Sequence, residues 1–162
     1  MFSEDIKILA TEILDLCRKN DLKIATAESC TGGLIIGALT EIAGSSDVVE
    51  RGFITYTNLA KQQSLQVNPV TLNRYGAVSE QTAKEMVFGA LTESEASIAV
   101  AVTGVAGPDG GSAEKPVGLV HMAAQKWGND PLHEEYRFGD IGRSEVREAT
   151  IIAALTLLKK VI

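Results

Sequence analysis

The sequence predicts an α/β fold, and three observations support that prediction. Stretches with apolar residues at three- and four-residue spacing, typical of amphipathic helices, alternate with short apolar stretches typical of strands. Residues 97–103 (SIAVAVT) are almost wholly apolar, as expected for a strand buried on both faces of a sheet. The turn signal at residues 128–131 (GNDP) lies between two further strands, which predicts an antiparallel hairpin. We therefore expect a single three-layer α/β/α domain over residues 1–162, with a mostly parallel sheet of about five strands, a C-terminal hairpin and a long final helix.

The first half of the chain predicts three helices and two strands. Capping residues, apolar spacing and the positions of glycine set their limits. In order, the expected elements are a helix from Ser3 to about Asn20, a strand over Lys23–Ala27, a helix over Leu34–Ala43 ended by Gly44, a strand over Gly52–Thr57, a short helix over Asn58–Gln66 and a loop around Asn68-Pro69.

The second half begins with a helix that Ser79 caps and that buries Ala83, Met86, Val87, Ala90 and Leu91 on one face. The remaining expected elements are a strand over Ser97–Thr103, a glycine-rich loop over Gly104–Gly111, strands over Gly118–Gln125 and His133–Phe138, and a helix from about Arg143 to Val161. In such sheets ligands bind beyond the carboxyl ends of the strands. The turns at 28–33 and 103–111 have the composition expected there.

Composition excludes several functional classes. The chain has 162 residues, 15 Lys plus Arg against 21 Asp plus Glu, and a formal charge of −6, which argues against a general nucleic-acid or anionic-membrane partner. The two cysteines, Cys17 and Cys30, form no metal-binding framework, and no dinucleotide fingerprint is present, so we expect neither a metal nor a cofactor. Without a signal peptide or a run of 18 apolar residues, the expected location is cytoplasmic.

The first candidate for chemistry is the turn at residues 28–33 (ESCTGG). It places nucleophile-type side chains and glycines at a strand end, before a helix whose backbone N–H groups can hold an anion or an oxyanion. Cys30 is a rival nucleophile to Ser29, because the pKa of a thiol can fall at a helix start. The alternative is that Ser29 and Thr31 only cap the helix.

Three further places could contribute to a site. The loop at 104–111 has four glycines and allows close approach to a ligand, although a plain flexible turn fits equally well and the P-loop pattern does not. Lys61, one turn after Asn58, can replace histidine as a general base for a serine if burial lowers its pKa, but a lysine is more commonly a surface residue. Arg143 and Arg147 lie one turn apart and could hold a phosphate, or form a surface pair balanced by nearby glutamates.

Five motifs, taken together and in order, resemble the C-terminal domain of CinA, the competence/damage-inducible family. They are AESCTGG, TYTNxAK, YGAVS, VTGVAGPDGG and KPVG, and they extend the resemblance from about residue 5 to about residue 160. The family includes proteins of this length and two-domain proteins with an additional N-terminal domain. This chain resembles the stand-alone form.

The resemblance implies hydrolysis of nicotinamide mononucleotide (NMN) to nicotinate mononucleotide and ammonia, within pyridine nucleotide recycling. The family's serine nucleophile, lysine and tyrosine match Ser29, Lys61 and Tyr56, and no metal is implied. The substrate-binding residues expected around them are Cys30, Thr31, Gly32, Gly33, Asn58, Thr103, Gly104, Gly107 and Arg143.

Two other functions stay open from the sequence. One is a non-catalytic module that binds a nucleotide or a partner, linked to competence or DNA damage. The other is an amidase for a related carboxamide, because the shape of the pocket sets substrate choice. The apolar final helix also permits a homo-oligomer, which we expect.

Overall fold

The computed structural model describes residues 1–162 and contains six α-helices and five strands. The helices are α1 (Glu4–Lys19), α2 (Leu34–Thr40), α3 (Asn58–Leu65), α4 (Pro69–Tyr75), α5 (Glu80–Thr92) and α6 (Arg143–Lys159), with a 3₁₀ turn at Ser45–Asp47. The strands are β1 (Ile24–Glu28), β2 (Val49–Ile54), β3 (Ile98–Gly104), β4 (Leu119–Lys126) and β5 (Leu132–Arg137). None of the helices combines the length and hydrophobicity that crossing a membrane requires.

The five strands form one mixed sheet in the order β2-β1-β3-β4-β5. β1 pairs in parallel with both β2 and β3, whereas β4 runs antiparallel to its neighbours β3 and β5. Only β4 is therefore reversed, and the other four strands point the same way. The predicted α/β class, the mostly parallel sheet and the C-terminal hairpin are confirmed.

Helices cover both faces of the sheet. α1, α2 and α6 pack on one face, over a core that includes Ile98, Val100 and Val102 of β3. α3, α4 and α5 pack on the other face, over the alanines of β1 and β3 and over Ala123. This alternation follows from the strand pleat, since successive side chains of the fully buried strands β1 and β3 point to opposite layers.

The helices α3 and α5 approach each other closely at Gly89. A Cβ atom at that position would overlap the backbone of Leu65, so only glycine fits without displacing α3. The predicted N-cap of α5 is confirmed, because the Ser79 hydroxyl accepts from the N–H of Thr82.

Two predicted elements differ from the structure. Residues around Asn68-Pro69 form the start of α4 rather than a loop, with the Asn68 side chain as N-cap and Pro69 in the first turn. β2 occupies Val49–Ile54 rather than Gly52–Thr57, because its pairing with Ile24–Glu28 of β1 fixes the register. As an edge strand it is half-exposed and lacks the apolar pattern that marks a buried strand.

The segments that follow β1, β2 and β3 lie together at the carboxyl edge of the sheet. Ser29 follows β1, Thr55 and Tyr56 follow β2, and Thr103 and Gly104 end β3. This edge is where open α/β sheets place their ligands.

Candidate active site

Ser29 and Lys61 form the centre of the site. Ser29 comes directly after β1 and is 8% exposed, and its N–H donates to the carbonyl of Val102. Lys61, on α3, is only 1% exposed, and its Nζ atom lies 3.0 Å from Ser29 Oγ and 2.8 Å from the carbonyl oxygen of Thr55. The fold thus brings a hydroxyl and an amine, from separate elements, within hydrogen-bond reach.

Burial lowers the pKa of Lys61 to about 8. No carboxylate forms a salt bridge with this lysine, so the loss of solvation is the larger effect on its pKa. A substantial fraction of the side chain is therefore the neutral amine near pH 8. A neutral amine within hydrogen-bond distance of a serine hydroxyl can accept the hydroxyl proton. Ser29 and Lys61 therefore have the arrangement of a nucleophile and its general base.

An open cleft of about 520 Å³ leads to this pair. Seven of the residues expected from the sequence line it, namely Ser29, Cys30, Tyr56, Lys61, Thr103, Gly104 and Arg143. The other three lining residues, Ala77, Val78 and Ala106, are small or apolar and were not named as site residues, although Ala106 belongs to the expected loop at 104–111. Motif YGAVS contains two of them, and the hydrogen bond from Thr103 Oγ1 to the Ala77 carbonyl holds that segment against β3.

Tyr56 and Arg143 form the outer wall of the cleft. The Tyr56 side chain is 60% exposed, and its hydroxyl accepts a hydrogen bond of 3.1 Å from Arg143 Nη2. Arg143 Nη1 also donates to the carbonyl of Gly107, at 2.8 Å, which ties the glycine-rich loop to α6. A guanidinium has five N–H donors, so this cation keeps donors for a ligand.

Five expected substrate-binding residues do not line the cleft: Thr31, Gly32, Gly33, Asn58 and Gly107. Asn58 is exposed at the start of α3, whereas Gly107 is buried and acts through its carbonyl. The predicted pairing of the two arginines at one phosphate is wrong for Arg147. Its Nη2 donates instead to the carbonyl of Thr31, and the side chain lines a different cavity with Phe2 and Ile6.

Cys30 does not have the properties of a nucleophile. Burial raises the pKa of its thiol to about 12, because desolvation outweighs the nearby cationic groups. The thiol therefore stays protonated at neutral pH, and the expectation of a rival nucleophile at Cys30 is wrong.

A buried carboxylate, Glu28, begins the candidate turn at residues 28–33, but no role of its own was predicted for it from the sequence. It ends β1, is fully buried and precedes Ser29. Its two oxygens accept hydrogen bonds from two threonine hydroxyls, Thr26 and Thr31, and from the N–H groups of Gly33, Ile35 and Ile36. Glu28 thus caps α2, whose own N-cap residue is a glycine with φ of 98°. An acid five residues before a glycine N-cap was the available signal in the sequence.

The sequence and the fold of this chain are similar to those of known proteins. The profile of the family described as the CinA C-terminal domain matches residues 6–162. The chain belongs to the CinA C-terminal domain family. A solved family structure, competence/damage inducible protein CihA from Agrobacterium tumefaciens, is 58% identical with a TM-score of 0.97, over 99% of this chain and 97% of that one.

Relatives of the CinA domain occur at two lengths. Nicotinamide-nucleotide amidohydrolase PncC of Enterobacter agglomerans is 47% identical over 95% of this chain and 94% of its own length. The PncC protein of Pseudomonas putida is 46% identical, with 94% of each chain covered. By contrast, the chain spans 38% of a CinA-like protein from Geotalea uraniireducens, to which it is 44% identical. The chain spans a similar 38% or 39% of other curated relatives it matches.

Proposed function

We propose that this protein hydrolyses the carboxamide of NMN, giving nicotinate mononucleotide and ammonia, with Ser29 as nucleophile and Lys61 as general base. The observation that carries the proposal is the 3.0 Å contact between Lys61 Nζ and Ser29 Oγ at the base of an open cleft. The two PncC relatives, which match over nearly their whole length and are named for action on a nicotinamide nucleotide, supply the substrate class.

In the first half-reaction, Ser29 Oγ attacks the carboxamide carbon while neutral Lys61 takes the hydroxyl proton. The carbonyl oxygen gains the negative charge of the tetrahedral intermediate. Lys61 then gives its proton to the amide nitrogen, the C–N bond breaks, and ammonia leaves an ester on Ser29. The proton passes directly between Ser29 and Lys61, because Lys61 Nζ lies 3.0 Å from Ser29 Oγ.

In the second half-reaction, water attacks the ester carbon. Lys61 accepts a proton from that water and returns it to Ser29 Oγ as the C–O bond breaks. The products are nicotinate mononucleotide and a regenerated serine, so one water is consumed for each ammonia released.

Substrate binding is proposed to involve three parts of the cleft. Arg143 contacts the phosphate through its unused N–H donors, which offsets the unfavourable net charge of −6. Thr103 and Gly104 border the ribose and phosphate, and Tyr56 contacts the nicotinamide end of the substrate beside the reacting pair.

The experiment is ammonia release from NMN by the purified protein, with and without EDTA, alongside two serine variants. Ser29→Ala removes the nucleophile, and Ser45→Ala is the matched control, since both serines are 8% exposed. We expect release by the parent and by Ser45→Ala, and a loss of roughly a thousandfold or more in Ser29→Ala. NMN binding without ammonia release by the parent would favour the non-catalytic binding module instead. Sensitivity to EDTA would contradict the metal-free mechanism.

The expected homo-oligomer stays a prediction. Sedimentation velocity on the purified chain tests it, with a single monomeric species as the contradicting result.

A further inference from the structure

The turn after Ser29 has two unused backbone donors. Ser29 N–H donates to Val102 and Gly32 N–H donates to the carbonyl of Ser29. Leu34 N–H donates to Thr31, and Glu28 accepts from the N–H groups of Gly33, Ile35 and Ile36. Between Ser29 and Ile36, only the N–H groups of Cys30 and Thr31 therefore lack an acceptor in the protein. Because these N–H groups already donate to Glu28 and Thr31, the start of α2 is not available as an oxyanion site, although the sequence pattern suggested it.

The two unused donors directly follow the nucleophile. The N–H of the residue after a nucleophilic serine is a recurrent donor to the oxyanion of acyl transfer. Cys30 lines the cleft beside Ser29, which places this residue next to the position that the substrate carbonyl would occupy.

Glu28 and Arg147 hold Thr31 from two sides. Glu28 Oε2 accepts from the Thr31 hydroxyl at 2.6 Å, and Arg147 Nη2 donates to the Thr31 carbonyl at 2.8 Å. Thr31 itself is fully buried. Thr31 is thus held at its hydroxyl by Glu28 and at its carbonyl by Arg147, which fixes the residue that directly follows Cys30.

We infer that Glu28 is a positioning residue that shapes the oxyanion site at the N–H of Cys30 by holding the adjacent, fully buried Thr31, with Arg147 as its counterpart on the Thr31 carbonyl. Glu28 does not line the cleft, and it fixes the turn by accepting from the Thr31 hydroxyl and from the start of α2. The inference rests on the proposed function, because it assigns the donors that stabilise the tetrahedral intermediate of that reaction.

The first test is Glu28→Gln, which keeps the size of the side chain but turns one acceptor oxygen into an NH₂ group facing donors. We expect kcat for NMN to fall about a hundredfold with KM nearly unchanged, the pattern of an interaction made in the transition state. The rate at which a sulfonyl fluoride modifies Ser29, followed by intact mass, should fall in parallel.

A matched pair of variants separates positioning from stability. Thr31→Val removes the hydroxyl contact on the side of the nucleophile, and Thr26→Val removes the equivalent contact on the strand side. Both threonines are fully buried, so both variants should lower the melting temperature. Only Thr31→Val should lower kcat and the rate of Ser29 modification, by roughly tenfold.

The outcomes distinguish this inference from the proposed function. A parent that releases no ammonia but whose Ser29 is modified faster than in Glu28→Gln and Thr31→Val would overturn NMN as substrate and support the positioning role. Variants that melt earlier but keep the parent's kcat and modification rate would overturn the positioning role and leave the function standing. A parent whose Ser29 is not modified would overturn the inference together with the nucleophile.

Discussion

The Nζ atom of Lys61 lies 3.0 Å from the Oγ atom of Ser29, although the two residues are 32 positions apart. The contact depends on the topology of the sheet. Ser29 directly follows β1 at the carboxyl edge, and α3, which contains Lys61, follows the neighbouring strand β2. The same topology buries the amine almost completely, and that burial lowers its pKa to about 8. The fold therefore both places Lys61 beside Ser29 and lowers the pKa of its amine.

Replacing the buried lysine should stabilise the protein while abolishing activity. Its pKa is about 8 in the folded state and 10.5 normally, so folding penalises the charged form by about 3 kcal/mol at pH 7. The penalty is fully present below pH 8 and disappears as the pH rises to about 10.5. Lys61→Met should therefore unfold at higher urea concentration than the parent at pH 7, with the difference shrinking towards pH 10. A Lys61→Met variant that is less stable at pH 7 would contradict this.

Arg143→Ala should weaken capture of the phosphate. Loss of a charge-assisted hydrogen bond of about 1.5–3 kcal/mol predicts a rise of roughly 10- to 100-fold in KM for NMN. Nicotinamide riboside, which lacks the phosphate, is the control substrate, and its kinetics should change much less. Equal effects on both substrates would mean that Arg143 acts through Tyr56 and the glycine-rich loop instead.

Gly89→Ala should disturb the active site from a distance. The added Cβ would overlap the Leu65 backbone and push α3, the helix that holds Lys61. We expect a loss of about 2–4 kcal/mol in the free energy of unfolding and a fall in kcat. Gly37→Ala, also inside a helix, is the control, because its Cβ would meet only the Phe2 ring at an ordinary distance of 3.4 Å. An unchanged free energy of unfolding in Gly89→Ala would contradict this prediction, because it would mean that α3 shifts without an energetic cost.

The contact between His121 and His133 should make the stability of the protein depend on pH. His121 Nδ1 and His133 Nε2 lie 3.0 Å apart, with Glu135 and Glu80 at the outer nitrogens, and burial lowers the pKa of both rings below 6.5. Because the unfolded chain then binds more protons, stability should fall as the pH decreases below about 6.5. The melting temperature of His121→Gln should fall less steeply than that of the parent between about pH 7 and about pH 5. Parallel curves would contradict this.

The sequence contained enough information for the fold and for the choice of Ser29 and Lys61 as candidates, but not for their surroundings. The apolar strand β3, the Ser79 cap and the hairpin turn are local patterns, and all three predictions were confirmed. The limits of β2 depend on pairing with β1, a non-local interaction that no window of sequence shows.

The candidate site follows the same division. The motif resemblance placed Ser29, Lys61, Tyr56 and Arg143, and the structure brings them to one cleft. The divergent directions of Arg143 and Arg147, and the five hydrogen bonds at Glu28, depend on which groups face each other across elements. The spacing of residues along the sequence does not show which side chains will face each other in the folded protein.

The measurement that tests the central claim most directly is the pH dependence of kcat/KM for NMN, from about pH 6 to about pH 10. If neutral Lys61 is the general base of Ser29, kcat/KM should rise tenfold per pH unit at low pH and level off above a pKa of about 8. Lys61→Met should show no such rise and only residual activity. A profile in the parent that is flat or falls across this range would contradict a lysine base.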